Sequence, residues 1–547
     1  MMERRLAEGN AYGGDRTERQ RRIDYDRFLK LKSPMAGGRE IELKFLASPA
    51  GLEAALKIAL FAPLREAQAV AQFSTYFDTP DGALQKAGFI LRLREVGGGV
   101  IQTVKQEGAS LERGEWEETL DTPALDLDRA AQTPLGKILA DEDLRARIGP
   151  MFTTRFARLK ADVTFSRAVI EVAIDEGEII AGQARAPICE IELELKSGGR
   201  YGLFALGRKL ARSAPVHLSL ISKGERGYRL AAGVWGAPAK MTPPALDAKM
   251  GAAEAFAAIA HACLRQMMLN APAFENGQEV EAVHQTRVAI RRLRAALALF
   301  RPVIADEAYP GLAAELKWLS DHLGATRDID VLLTESIQPA LTREPQMPGL
   351  AELSAFIEQR QAASRLVLRE AMDSPRGRKL MLDLLLWVED GPWRRKAVAL
   401  KTEPENLKHL LSRRLKASRK KLAARGENLE DLPEAQMHEV RIHAKKLRYQ
   451  AAFFDALANA GKRYRSFVNA LERIQETLGT VHDAEATAAF LEEQARKAVQ
   501  EGESHNPLVL FAAGRLAGAH PDRAALVARA SKALAKALAT KPFWTRL

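Results

Sequence analysis

The chain has 547 residues, 47% of them hydrophobic, and 81 Lys and Arg against 70 Asp and Glu, a formal net charge of +11. This is enough for about three domain-sized units with ample apolar material for their cores, and the positive balance favours an acidic partner. Two cysteines, Cys189 and Cys263, exclude a disulfide framework, and no apolar run reaches the length of a membrane span, so a reducing, cytoplasmic setting is expected.

Residues 1–34 are polar, dense in Arg, Asp and Glu, and lack apolar periodicity, so they read as a disordered extension ahead of Met35, which is the expected biological start. Glu40-Ile41-Glu42-Leu43-Lys44 follows. Successive strand residues alternate faces, which puts Glu40, Glu42 and Lys44 on one side and Ile41, Leu43 and Phe45 on the other. Two carboxylates about 4 Å apart repel by roughly 4 kcal/mol at a surface-like dielectric. Keeping both ionised calls for a cation, and magnesium or manganese suits an all-oxygen site.

The same sorting recurs along the chain. Leu91-Arg92-Leu93-Arg94 puts two guanidiniums on one face, Arg113-Gly114-Glu115-Trp116-Glu117 a cation and two carboxylates, and Glu190-Ile191-Glu192-Leu193-Glu194 three carboxylates. A solvated sheet face usually intersperses its signs, whereas these rows are sorted strand by strand and backed by apolar residues. The pattern predicts a closed barrel worn inside out, with charge in the lumen and apolar rows under covering helices. A metal-chelated polyanion satisfies both kinds of group, and triphosphate is the simplest.

Residues 39–230 resemble the CYTH domain of the triphosphate tunnel metalloenzymes. The likeness rests on the Glu40, Glu42, Lys44 opening and Tyr76-Phe77-Asp78-Thr79-Pro80, then Leu84, Arg92, Arg94 and Thr103-Val104-Lys105. It continues through Arg113, Glu115, Glu117, Arg158, Asp175-Glu176-Gly177, the Glu190–Glu194 row and Ser222-Lys223. The resemblance implies an eight-stranded antiparallel tunnel acting on triphosphates with Mg2+ or Mn2+. It further implies metal carboxylates at Glu40, Glu42, Asp175, Glu190 and Glu192, with Glu115 and Glu117 supporting or orienting water. Lys44, Arg92, Arg94, Lys105, Arg158 and Lys223 become phosphate clamps, and Glu42, Lys44, Lys105 and Glu117 the catalytic set. Glu194, Arg113 and Arg155 lie outside the best-matched positions and read equally well as surface ion pairs.

Val234 to Pro244, rich in Gly, Ala and Pro, reads as a linker, so that residues 36–231 form the tunnel, 232–245 the connection and 246–547 a second domain. That second part has helical periodicity throughout, with breaks expected near Pro272, Pro302, Pro348, Pro375, Pro392 and Pro433. His284, Arg287, Arg291 and Arg294 fall at i, i+3, i+7 and i+10 on one helical face, and Ile290, Leu293, Leu297 and Phe300 on another. The stripe has a twin in His438, Arg441, Lys445 and Arg448. Leu323-Gly324-Ala325-Thr326-Arg327-Asp328 after the first matches Leu478-Gly479-Thr480-Val481-His482-Asp483 after the second, so the helical half is an internal duplication, about 246–400 and 401–547.

The doubled pattern resembles the CHAD domain, which implies an all-α duplicated helical bundle with a basic groove for polyphosphate. Rows of Lys and Arg agree in sign, because a linear polyanion releases counterions when it binds them. Metal binding by the histidines is disfavoured, since no carboxylate neighbours His284 and Glu439 points off the stripe. The whole is expected to be a multidomain α+β and all-α chain of the CYTH-CHAD inorganic triphosphatase kind. It would cleave tripolyphosphate to pyrophosphate and phosphate in the cytoplasm, with association with polyphosphate granules a further expectation. The alternatives are an enzyme directed at nucleotides, including an adenylate cyclase, or at thiamine triphosphate, with Tyr76 and Phe89 placed to stack a base, and a non-catalytic polyphosphate binder. No nucleic-acid-reading motif is evident, so nucleic acid is not an expected partner.

Overall fold

In a computed structural model of the protein, residues 38–108, 111–247, 249–394, 407–453, 461–500, 507–518 and 522–544 are described. The N-terminal extension and Met35 lie outside them. The described chain forms two compact units. The first runs up to Ala237 and adds Ala271–Asn276 and Asp373–Glu389, and the second holds Pro238–Asn270, Gly277–Met372 and the chain from Asp390 onward.

The first unit is built on strands β1 (Gly38–Ala47), β2 (Val70–Asp78), β3 (Phe89–Val96), β4 (Gly99–Gln106), β5 (Glu112–Leu120), β6 (Gly149–Phe165), β7 (Ala168–Ala181), β8 (Ala184–Ser197) and β9 (Val216–Ser219). Eight of them pair antiparallel in the order β5-β4-β3-β2-β6-β7-β8-β1, and β1 returns to β5, closing the expected barrel. Strand β9 is an addition that shares one edge of β1 with β5. β5 pairs with Gly38–Ile41 and β9 with Lys44–Ala47, which leaves a seam in the wall at Glu42 and Leu43. Four residues reading Val-His-Leu-Ser are too short for a period-two pattern to announce.

The apolar rows face outward. Leu43, Phe45, Leu91, Ile191 and Leu193 have no exposed surface. Helix α1 (Arg200–Ser213) lies over β1, with Gly207 at the point where Leu43 and Phe45 leave no room for a side chain. Leu84, Phe89, Leu91 and Val104 pack under the short helices that carry Ala130, Leu135 and Leu139.

Helix α2 (Lys223–Ala231), capped by Ser222, packs against β6, β7 and β8. Tyr228 and Leu230 join Tyr76, Ile90, Phe152, Phe156, Ile179 and Ile188 in an apolar cluster. Tyr76 stacks on Phe152 at 4.5 Å between centroids, and Phe152 meets Tyr228 edge-on at 5.1 Å. Gly227 makes this possible, since a Cβ there would overlap the Phe152 ring. The structure corrects the expectation that Tyr76 and Phe89 could stack a base, because they are 2% and 7% exposed and already committed to packing.

The second unit is helical. Its longest elements are α3 (Ala252–Glu275), α4 (Glu279–Ile304), α5 (Tyr309–Val331), α6 (Leu350–Asp373), α8 (Leu407–Arg425), α9 (Glu434–Ala452), α10 (Lys462–Gln500), α11 (Leu508–Ala517) and α12 (Arg523–Ala539). α7 (Pro375–Asp390) intervenes in sequence, but all of it except Asp390 belongs to the first unit. Pro375 opens α7 and Pro433 caps α9, as a residue without an N–H can, whereas Pro272 and Pro302 sit inside the ends of α3 and α4 and break neither.

Side chains at matching positions of the two stripes make matching contacts. Arg287 donates to the Gly324 carbonyl at 3.4 Å in the first repeat, and in the second the Arg441 guanidinium lies against Gly479, the matching residue. Arg294 donates to Ser320 at 3.3 Å, and Arg448 to Gln475 at 3.1 Å, again at matching positions. The two stripe helices, α4 and α9, pack on each other.

Candidate active site

The barrel register explains why the sorted rows meet. Arg158 on β6 pairs with Asp175 on β7, Asp175 with Glu190 on β8, and Glu192 with Lys44 on β1, so alternate residues of four strands converge on one patch of lumen. Arg158 reaches Asp175 at 2.5 Å and Glu192 at 2.6 Å. Lys44 lies 3.1 Å from Glu192 and 3.5 Å from Glu42. The Lys223 ammonium enters from α2, 2.7 Å from Asp175 and 3.0 Å from Glu192 and in contact with Glu190.

Burial alone would favour the protonated forms of Asp175 and Glu192. For Asp175 that pressure is overcome by Arg158 and Lys223, which hold it below the ordinary range. For Glu192, Lys223, Lys44 and Arg158 together hold it well below. Asp175, Glu190 and Glu192 can present one oxygen each within 4.8 Å of one another. An all-oxygen donor set around a point already taken by an ammonium is the environment a hard divalent cation needs, so the residues fit such an ion.

A second cluster lies where β1, β3, β4 and β5 meet. Lys105 is 2.9 Å from Glu115 and 3.8 Å from Glu40. Arg92 is 3.4 Å from Glu115 and 3.8 Å from Glu117, which also accepts from the Thr103 hydroxyl at 3.3 Å. Burial, then a hydrogen bond with Glu115, push Glu40 up to about 9, while Lys105 and Arg92 overcome the burial of Glu115 and hold it well below its ordinary value. The pair therefore keeps one proton at neutral pH. Arg94 makes no ion pair among the described residues, and burial followed by repulsion from Arg92 lowers its pKa against the pull of Glu117 and Glu115.

Glu40 carries a pH signature. The unfolded chain releases this proton near 4.5, whereas the folded chain keeps it until about 9. The stability it contributes is full below the first value and is lost as pH climbs through the second. Glu40→Gln, which copies the protonated form, is expected to raise the melting temperature of the metal-free protein at pH 8 and to flatten its decline between pH 6 and 9. Calorimetry on both forms checks this, and identical pH profiles would contradict it.

Sequence reasoning missed Arg226, which is 2% exposed and ion-paired to Glu190. It follows Lys223 by one helical turn, so the signal was present once that segment is read as a helix. Glu107, which accepts from Ser222 at 2.9 Å, was missed as well. Asp78 proves to be a turn-holder whose carboxylate accepts from the Thr79, Leu84 and Gln85 amides. Arg155 pairs with Glu178 at 2.5 Å and Glu194 with Lys196 at 2.8 Å, the bland alternative for both. The Arg113 side chain lies outside the described residues.

In the helical unit, burial and then Arg327 and the stripe arginines lower the pKa of His284, so it is neutral at pH 7 and adds no charge to its stripe. Burial, and then Arg287 and Arg448, lower the pKa of Arg291, so charge from both stripes bears on it. Arg287 is 3.2 Å from Asp328 and Arg448 3.2 Å from Glu472, so each stripe is partly balanced. His438 and Lys445 lie on α9 with Arg441.

Two family models match the chain, CYTH domain over residues 38–228 and CHAD domain over residues 258–492. The protein is a CYTH domain followed by a CHAD domain. An inorganic triphosphatase from Haemophilus influenzae is 35% identical over 194 residues, which are 35% of this chain and 55% of that protein. The matched stretch thus spans about half the length of the curated relative. The solved CHAD domain from the plant Ricinus communis is 33% identical, covering 54% of this chain and 96% of that one with a TM-score of 0.46. PptA from Streptomyces chartreusis is 20% identical over 53% of this chain and 99% of that one, with a TM-score of 0.38. No helix among the described residues is long and apolar enough to cross a membrane.

Proposed function

We propose that the CYTH domain hydrolyses inorganic tripolyphosphate to pyrophosphate and phosphate with Mg2+ or Mn2+, and that the CHAD domain binds polyphosphate. The observation that carries the first part is the mixed lumen, in which Asp175, Glu190 and Glu192 share their space with Lys44, Arg158 and Lys223 while Arg94 stands without an ion pair among the described residues. Acids and bases that neutralise each other in the free protein can exchange those partners for a metal and a triphosphate. Buried pairs contribute little net stability, so the exchange is inexpensive.

In this reading Glu42, Asp175, Glu190 and Glu192 hold the metal, with Glu40 joining once its proton is lost. When bound, the ion polarises phosphoryl oxygens. Lys44, Arg92, Arg94, Lys105, Arg158 and Lys223 bind the phosphoryl oxygens and the charge that gathers on them. Glu117, 18% exposed in its side chain and beside Arg92, orients the attacking water and accepts its proton. A P–O bond forms to that oxygen as the anhydride P–O bond breaks. Lys105, between Glu40 and Glu115, steadies the leaving phosphate. The name of the Haemophilus relative supports the choice of substrate, and so does the packing of Tyr76 and Phe89, which leaves neither ring free for a base.

For the CHAD domain, the support is the meeting of α4 and α9, which brings Arg291 beside Arg448. A cytoplasmic protein drawn to polyphosphate granules follows from this reading. Phosphate release from tripolyphosphate, ATP and thiamine triphosphate with each metal tests the tunnel. Tripolyphosphate should be turned over fastest, and a preference for either organic substrate would overturn the assignment.

A further inference from the structure

Helix α7 lies inside the stretch matched as CHAD, yet it packs into the tunnel unit. Leu384, Leu385, Leu386, Trp387 and Val388 are each at most 5% exposed, so the second half of the helix is buried on all sides, as a core element is and a connector is not. Its polar anchors reach the tunnel's own elements. Arg208 on α1 donates to Asp383 at 2.8 Å, and Arg378 donates to the Ala211 carbonyl at 3.0 Å. Leu382 meets Leu43 and Phe45 around Gly207, behind the strand that carries Glu42 and Lys44.

Two anchors flank the seam in the barrel wall. β5 covers β1 as far as Ile41 and β9 covers it from Lys44, and a crevice between them is lined by Glu42, Lys44, Leu111, Ser219 and Leu220. On one lip the Leu111 amide, just before β5, donates to the Glu389 carboxylate at 3.1 Å. Both residues are buried, so without Glu389 this N–H would lose that acceptor away from water. On the other lip His217 of β9 lies 3.3 Å from Asp373, at the start of the same segment.

We propose that α7 is a positioning element of the tunnel. Glu389, by holding the Leu111 amide, fixes the width of the seam and with it the aim of Glu42 and Lys44 into the lumen. This rests on the reading of Glu42 as a metal carboxylate and Lys44 as a phosphate clamp. It means that the CYTH fold is completed by a helix from the CHAD stretch.

The test uses the full chain with Glu389→Ala and Glu389→Gln. Gln keeps an acceptor oxygen for the amide and Ala does not. Amide hydrogen exchange at Leu111 and Leu43 is measured together with KM and kcat for tripolyphosphate with Mn2+. Glu389→Ala is expected to speed exchange at both amides by about tenfold and to raise KM by about fivefold, with kcat within about twofold, and Glu389→Gln to restore both readouts. Unchanged exchange in Glu389→Ala overturns the proposal. So does faster exchange with an unchanged KM, which would make the contact merely structural. Equal damage from Gln and Ala would overturn the role of the hydrogen bond. A wild-type chain that releases no phosphate is a failure of the proposed activity, and exchange at Leu43 then decides whether Glu389 holds the seam.

Discussion

Glu192→Gln is expected to cut metal-dependent phosphate release from tripolyphosphate by about a hundredfold or more and to leave the barrel folded, and Glu42→Gln should do the same. Partners one step removed from a metal typically cost ten- to a hundredfold when changed, so a direct ligand should cost at least the upper end of that range. Gln keeps the size and an acceptor oxygen but removes the charge. Glu192 is the more informative site because Lys44, Arg158 and Lys223 all bear on it, and its loss leaves two buried cations and a half-buried one short of an anion. Phosphate release across a metal titration, with circular dichroism as the folding control, reads the result. Wild-type turnover in either variant would remove that residue from the metal site.

The second large effect concerns the CHAD domain. In the full chain, Arg287→Glu with Arg291→Glu should weaken binding of labelled long-chain polyphosphate by about tenfold or more, and Arg441→Glu with Lys445→Glu should do comparable harm. Lys532→Glu with Lys536→Glu serves as the control, since both are exposed on α12 and off the stripes. A polyanion seated across α4 and α9 loses direct contacts in the first two variants but only long-range attraction in the third. Raising the salt should shrink all affinities, and the slope should fall in the stripe variants because fewer counterions are released. Equal losses in all three would reduce the stripes to ordinary charged faces. His284→Gln should change little at pH 7, because that histidine is already neutral.

The barrel was legible because period-two sorting is a strong signal. Glu40, Glu42 and Lys44 on one face with Leu43 and Phe45 on the other fixes which side is lumen, and the repeat of that pattern on β3, β5 and β8 implies closure. The matching contacts of the two stripes were legible because their residues keep one spacing, which needs no knowledge of contacts. Helix α2 was not, since Lys223 to Leu230 announces itself by Ser222-Lys223 and gives no sign of the space that Gly224 and Gly227 leave for Ile90 and Phe152. Helix α7 was hidden for a related reason. Its Leu384–Val388 run says that it is buried and says nothing about what buries it, so sequence alone gives no sign that Asp373–Glu389 groups with the first unit. The prolines at 272 and 302 misled because each falls at a helix end, where little backbone bonding remains to be lost. Arg226 was passed over because a lone arginine two residues after a glycine carries no pattern until its helix is drawn.

Anomalous diffraction from crystals of the protein soaked with Mn2+ and tripolyphosphate tests whether the lumen holds metal and triphosphate together. Manganese is expected in the lumen, bound by Glu192 with Glu42 or Glu190, with phosphoryl oxygens on Lys44, Arg94 and Arg158. Manganese bound only outside the barrel, with Lys223 still seated among Asp175, Glu190 and Glu192, would contradict it.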